Sequence, residues 1–302
     1  MMGRPRALLA VALGVLAGAP GPARGAEKDD EKDDERPDPP VVIPSDRPGF
    51  ADATASVPFG RLVIETGGDL SLALEDRADP VLDVPTVLLR VGLPLGVEAR
   101  VGVPTPAFRF DAQGEQSTVG VRDLALGAKL SLTDDPLFDF SGVVTVTVPL
   151  QDADFGADDD LIGRLGLNLG ISPVDFFTLT GAFYGGWSQD NLQLGLGAVA
   201  SFALGPVSPF AQVFVTREAA TLSEAFADGT AELFTETWAL GIGGGVAVLL
   251  SNELQLDASL DLLPYQGRNV DLPEAVTVAL PSALRGDGPV AMRIGVGLSV
   301  ML

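Results

Sequence analysis

The chain has 302 residues, a hydrophobic fraction of 46%, no cysteine, no histidine and a formal net charge of -22. Without cysteine and histidine it has no disulfide framework, no thiolate or histidine metal site and no Ser-His-Asp triad. The negative charge repels phosphate and argues against a nucleic-acid partner. The hydrophobic fraction, beside 36 Gly and 23 Pro, exceeds what one soluble core buries and indicates that apolar surface faces lipid.

Residues 1–25 have the features of a secretory signal peptide. Arg4 and Arg6 precede an apolar run that ends at Pro20, and small residues follow up to Gly25. This run and every later apolar stretch are too short for a membrane-spanning helix. Residues 26–44 are rich in acids, lysine and proline, which predicts a disordered leader. We therefore expect an exported protein, and the signal peptide together with the barrel pattern of residues 60–302 indicates a diderm bacterium.

From Gly60 onward, apolar and polar residues alternate in twelve segments. In the last segment Met292, Ile294 and Val296 are apolar, and so are residues 298, 300 and 302, while Arg293, Gly295, Gly297 and Ser299 stand between them. Such a strand presents one face to an apolar medium and the other to a polar one. Most segments exceed the about nine to eleven residues that a tilted strand needs to cross a bilayer. The predicted strands cover residues 60–74, 86–93, 95–103, 119–132, 137–150, 161–171, 174–187, 191–204, 207–216, 237–250, 253–263 and 289–302.

The connections alternate between tight turns and long links, which is typical of outer-membrane barrels. The long links are predicted at residues 75–85, 104–118, 151–160, 217–236 and 264–288, whereas the link at 188–190 is short where a long one is expected. We interpret residues 60–302 as an all-β, single antiparallel up-and-down transmembrane β-barrel of about 12 strands. Residues 45–59 are a candidate plug that folds into it. A soluble β-sandwich is the rival architecture, but its leucine-rich outer faces would leave it no polar exterior.

Charged residues fall on the parity opposite to the leucines. Because Arg or Lys on the lipid face costs roughly 2 to 4 kcal/mol at mid-bilayer, this parity predicts a hydrated lumen. Arg122 breaks the parity, and we expect it near a strand end. The wall is either a structural salt-bridge ladder or a selective binding surface. The predicted lumen-lining residues are Arg61, Glu65, Arg90, Glu98, Arg100, Asp123, Lys129, Arg164, Asp257, Asp261 and Arg293.

Glycines share this inward parity in several strands. They stand at Gly195, Gly197, Gly241, Gly243 and Gly245, and again near the end of the chain. With so little side-chain volume they either widen the bore or allow strand curvature and close packing of an inner segment. Both interpretations stay open from the sequence.

Four short motifs resemble those of a known family. They are Asp46-Arg47-Pro48-Gly49-Phe50, residues 57–62 leading into Glu65, residues 88–93 with Glu98 following, and residues 123–129. In order and spacing the chain resembles the outer-membrane β-barrels named for the "putative MetA-pathway of phenol degradation", which are usually labelled transporters. The resemblance implies an outer-membrane location and transport, and it identifies Asp46, Arg47 and Pro48 as family-motif residues.

The sequence favours a passive pore or uptake channel for small molecules, aromatic or otherwise apolar ones among them, with no enzyme activity, metal or cofactor. The alternative is a closed structural or surface-binding barrel whose acid-rich links, at residues 75–83 and 152–160, hold divalent cations. An enzyme fits least, because the Gly-rich stretch 241–245 precedes no helix and no acid pair is distinguished. Expected partners are outer-membrane lipid and lipopolysaccharide, the barrel-assembly machinery and a small-molecule cargo.

Overall fold

The computed structural model describes residues 43–46, 50–73, 79–110, 117–133, 135, 137–150, 161–188, 191–226, 229–271 and 291–302. The predicted signal peptide, nearly all of the leader and the motif residues Arg47 and Pro48 lie outside the described residues. Within the described part of the chain, no helix has the length and hydropathy to cross a membrane.

The alternating pattern produces strands throughout the described residues. A single 3₁₀ turn, Pro94–Gly96, interrupts them at one tight connection. In chain order the strands are β1 Leu62–Ala73, β2 Val81–Gly92, β3 Val97–Val103, β4 Pro106–Arg109, β5 Thr118–Val121, β6 Leu124–Ser131, β7 Phe138–Val148, β8 Ile162–Val174, β9 Phe177–Trp187, β10 Asn191–Phe202, β11 Val207–Phe226, β12 Gly229–Ser251, β13 Leu254–Asp271 and β14 Ala291–Met301.

The sheet closes on itself. Neighbouring strands are antiparallel, and β1 pairs with both β2 and β14. Strands β3 and β4 both pair with β2, while β6 pairs with β3 and β5 pairs with β4. Each of these two wall positions is thus one interrupted strand, so the described segments form a closed 12-strand antiparallel barrel. The predicted fold class is confirmed.

The two faces of the wall have opposite chemistry. Leu196 and Val296 on the outer face are 58% and 55% exposed, whereas the side chains of Arg90 and Glu98 on the inner face are fully buried. Apolar groups outside and charges inside reverse the arrangement of a soluble protein and match a barrel that is surrounded by lipid.

We name the two ends of the barrel by their connections. The short-turn end carries the tight turns and the start of β1, and the long-link end carries the longer connections. At the long-link end several predicted boundaries are wrong. Strand β2 begins at Val81 rather than at residue 86, β4 lies inside the predicted link 104–118, and β13 continues to Asp271. Strands β11 and β12 run through the predicted link 217–236 as a paired hairpin. Ladder hydrogen bonds continue there after the apolar alternation has stopped.

Candidate functional site

Residues 43–46 and 50–59, which we call the inner segment, lie inside the barrel. Near the short-turn end Ile43 is buried against Val63 of β1 and Met301 of β14. The Ser45 hydroxyl lies 3.0 Å from that of Ser299, and the two form a hydrogen bond. Further contacts join the inner segment to β2, β3, β6 and β11, so it crosses the lumen.

Asp46 is the electrostatic centre of the inner segment. Its carboxylate forms ion pairs with Lys129 Nζ at 3.2 Å, with Arg90 Nε at 3.4 Å and with Arg100. Burial raises the pKa of Asp46, but the positive charges of Lys129, Arg100 and Arg90 outweigh it and lower the pKa to about 2. The carboxylate is therefore ionised at neutral pH and binds the segment to β2, β3 and β6.

Arg90 connects the inner segment to two acids of the wall. Its guanidinium donates to Glu65 Oε1 at 2.6 Å and to both carboxylate oxygens of Glu98, at 2.7 and 2.9 Å. The same acids accept hydrogen bonds from the backbone of the inner segment. The Asp46 N–H donates to Glu65 at 3.0 Å, and the Val57 N–H donates to Glu98 at 2.9 Å. Because each buried charge has a partner, this network specifies one position for the segment.

A cluster of three aromatic rings, which we call the aromatic shelf, lies on the other side of the lumen. Phe50 of the inner segment stacks on Phe214 of β11 at 4.8 Å and 8°, and it contacts Tyr184 of β9 at 5.4 Å and 41°. The Phe50 N–H donates to Gln212 Oε1 at 2.6 Å. Asp46 and Phe50, four residues apart, thus anchor the segment to opposite parts of the wall.

Glycines leave the space that these rings occupy. A Cβ atom at Gly195 would lie 2.1 Å from the Tyr184 ring, and one at Gly197 would lie 2.4 Å from the Phe50 ring. At Gly241 the nearest atom, in the Phe214 ring, would lie 2.2 Å away. Of the two interpretations left open by the sequence, these contacts favour close packing over a wider bore.

The lumen keeps open space on the long-link side of the inner segment. A cavity of about 630 Å³ lies there, and its lining includes the aromatic shelf together with Arg100, Arg164 and Arg293. A smaller cavity of about 330 Å³ adjoins Asp46. Burial and the negative charge of Asp46 raise the pKa of Asp52, which lines both cavities and contacts Arg100 at 3.3 Å.

The family model described as "Putative MetA-pathway of phenol degradation" matches residues 45–271. The chain belongs to this family. The match begins inside the inner segment, so the segment and the barrel wall are both part of what this MetA-pathway family shares. No curated protein has a matching sequence.

Solved structures of outer-membrane channels are similar to this MetA-pathway family member. The COG4313 outer membrane channel from Pseudomonas putida F1 has a TM-score of 0.57 at 12% identity, over 84% of this chain and 99% of its own. The NanC porin has a TM-score of 0.48 at 8% identity, over 78% and 98%. The CymD monoaromatic hydrocarbon channel has a TM-score of 0.40 at 10% identity, over 81% and 88%. At 12% identity, the similarity to the COG4313 channel shows that the two proteins share the barrel fold.

In this member of the MetA-pathway family, most of the predicted lumen-lining residues lie in the lumen. Glu65, Arg90, Glu98, Arg100 and Lys129 meet around Asp46. The others are spread over the wall: Arg164 and Arg293 line the larger cavity, Asp123 lines the smaller one, Asp261 pairs with Arg293 at 2.7 Å, and Asp257 is buried.

One predicted placement needs correction. The Arg61 side chain is 47% exposed and lies 3.9 Å from Glu253 at the short-turn end, because Arg61 precedes β1 and the strand alternation does not yet apply to it. Arg122, by contrast, lies near a strand end as predicted, directly after β5, and it pairs there with Asp83 at 2.8 Å. Because Arg122 lies outside both β5 and β6, the alternation of inward and outward side chains does not apply to it.

Sequence reasoning missed the aromatic shelf. Tyr184, Gln212 and Phe214 share the inward parity of their strands, which is the signal that could have identified them. Their partner Phe50 belongs to a segment without periodicity, and its position in the lumen follows from the three-dimensional contacts only.

Proposed function

We propose that this protein is a passive channel for small molecules in the bacterial outer membrane. The inner segment narrows the bore of this channel. The observation that carries the proposal is the large cavity inside a closed barrel, with the inner segment beneath it. In this proposal lipid and lipopolysaccharide contact the apolar outer face, and the barrel-assembly machinery inserts the protein.

The size of the barrel supports a narrow pore. Barrels of about eight strands are filled by side chains, and those of about sixteen hold an aqueous channel, so twelve strands leave an intermediate bore. Here the inner segment takes up part of that bore. Ion pairs and aromatic contacts of a few residues hold it in place. We infer that its displacement widens the path, and that the aromatic shelf favours aromatic or apolar cargo.

Planar-bilayer recordings of the purified mature protein test the proposal. Discrete conductance steps are expected from the full chain, and larger steps from a variant that lacks residues 45–59. Heat-modifiable gel migration of both proteins, compared before and after boiling, controls for folding. Folded protein that stays silent in both forms would exclude the channel.

The density of the ionic network favours one alternative, a closed barrel with a structural role. The same recordings distinguish the two, because a sealed barrel gives no steps with the full chain or the deletion variant. Of the predicted cation-binding links, residues 75–76 and 152–160 lie outside the described residues, whereas Asp79 and Asp83 lie within them. Asp83, a further member of the first link, forms an ion pair with Arg122.

A further inference from the structure

We propose that the larger cavity binds small carboxylates that carry an aromatic or apolar body, with Arg164 as the group that receives the carboxylate. The inference rests on the proposed channel function and narrows its cargo to organic anions. It depends on the partners of Arg164, on the charge of the cavity and on the position of the aromatic shelf.

Arg164 of β8 differs from the other arginines of the cavity in its partners. Its guanidinium donates to Gln193 Oε1 at 3.4 Å and lies 5.4 Å from the centre of the Tyr184 ring. By contrast, Arg100 and Arg293 each pair with carboxylates. Among the residues that the structure describes, no carboxylate lies within ion-pair distance of Arg164. Its planar donor group is therefore available for a bidentate bond to a carboxylate.

The charge of the cavity is opposite to that of the chain. Its described lining contains Arg100, Arg164, Arg293 and one acid, Asp52; because Arg100 pairs with Asp46 and Asp52 and Arg293 pairs with Asp261, the uncompensated positive charge is that of Arg164. The chain as a whole carries a formal charge of -22. A cationic recess with low-dielectric walls concentrates small anions even inside an acidic protein.

The apolar wall of the same cavity begins beside Arg164. Tyr184 lies next to the guanidinium, and Phe50 and Phe214 continue the shelf from there. A carboxylate bound to Arg164 thus places its ring or chain along this shelf. The volume of about 630 Å³ lies within the range of small-molecule sites, which are mostly apolar and have a few oriented polar groups.

Calorimetric titration of the folded full-length barrel in detergent micelles tests this inference. The probes are benzoate and benzyl alcohol, which have similar size but differ in charge. We expect benzoate to bind about tenfold more tightly, because one charge-assisted pair distinguishes the two probes. In R164Q that advantage disappears while the affinity for benzyl alcohol changes less than about twofold. R164K, which keeps the charge but loses the planar fork, has an intermediate affinity for benzoate.

R61Q is the matched control, because it makes the same charge change at the rim and should keep the full preference for benzoate. Equal affinity of the wild-type protein for both probes would overturn the inference, and so would equal losses in R164Q and R61Q. Heat-modifiable migration shows that each variant is folded. Binding in micelles does not require the probe to pass through the barrel. Protein that binds benzoate but gives no conductance steps in bilayers therefore rejects the channel proposal alone. Protein that conducts but shows no preference for benzoate rejects only this inference.

Discussion

Asp46 is the single residue that most determines where the inner segment lies. Its carboxylate is 4% exposed, and it is the ion-pair partner of the buried Lys129. In D46N the lysine loses its counter-charge, and removal of one member of a buried pair costs about 3 to 5 kcal/mol. We expect the segment to leave the lumen and the single-channel conductance to rise at least about twofold in planar bilayers.

D52N is the control for this prediction. Asp52 contacts the same Arg100, but its side chain is 35% exposed and its ion pair is longer, at 3.3 Å. Asp52 forms one ion pair where Asp46 forms three, and Arg100 keeps its ion pair with Asp46 in D52N, so the conductance of D52N should stay near that of the wild-type protein. If D46N and D52N conduct equally, Asp46 does not anchor the segment.

Acid acts on the same carboxylate. Burial raises the pKa of Asp46 and its three cations lower it, with the net result about 2 against an ordinary 3.8. The lowered pKa applies while the inner segment lies in the lumen, so ionised Asp46 stabilises that position by about 2 kcal/mol. This stabilisation is complete above about pH 4 and is lost as the pH falls toward about 2. Recordings should show constant conductance from pH 7 to 4.5 and an increase below about pH 3. That increase should be absent in D46N, and a rise near pH 5 in the wild-type protein would contradict the assignment to Asp46.

The parity of charged residues in the sequence placed Glu65, Arg90, Glu98, Arg100 and Lys129 on one face, since lipid excludes them from the other. Their shared partner could not be predicted in this way. The partner stands on a segment without alternation, and its position depends on contacts between residues far apart in the chain.

As an element, the inner segment fits the wall through backbone contact as well as charge. A Cβ atom at Gly92 of β2 would lie 2.0 Å from the Pro58 carbonyl oxygen and 2.4 Å from that of Val57. G92A therefore has to push the segment away from β2, and we expect larger conductance steps from it. Planar-bilayer recording of the folded variant provides the measurement.

Gly166 offers a matched control on the wall of the larger cavity. A Cβ atom there would lie 3.7 Å from the nearest atom, the Val143 Cβ, which is ordinary van der Waals contact. G166A should keep the wild-type conductance. Similar conductance in G92A and G166A would mean that the segment does not limit the current.

The strands themselves were predictable only where a bilayer dictates their chemistry. Alternation identified the spanning parts, but it stops where β11 and β12 extend beyond them, up to Phe226 opposite Gly229. The interruptions between β3 and β4 and between β5 and β6 escaped prediction because each spans only two residues, 104–105 and 122–123, and the pairing continues in the same register on both sides.

At the scale of the whole molecule, the barrel depends on lipid to cover its apolar outer face. Leu196 lies at the middle of β10 and is 58% exposed, so its surroundings in a membrane are acyl chains. L196R should destabilise the folded barrel by roughly 2 to 4 kcal/mol, because a guanidinium at mid-bilayer loses its hydration. The measurement is the urea midpoint of protein that is reversibly folded into lipid vesicles.

Leu250 separates the effect of depth from that of exposure. It is 56% exposed, nearly the same as Leu196, but it lies one residue before the end of β12 at the short-turn end. An arginine there reaches the interface, so L250R should cost roughly 0 to 1 kcal/mol. Equal costs at the two positions would place the same medium around both, and the apolar outer face would then not be a membrane-spanning surface. A large difference between them locates the hydrocarbon layer at the middle of β10.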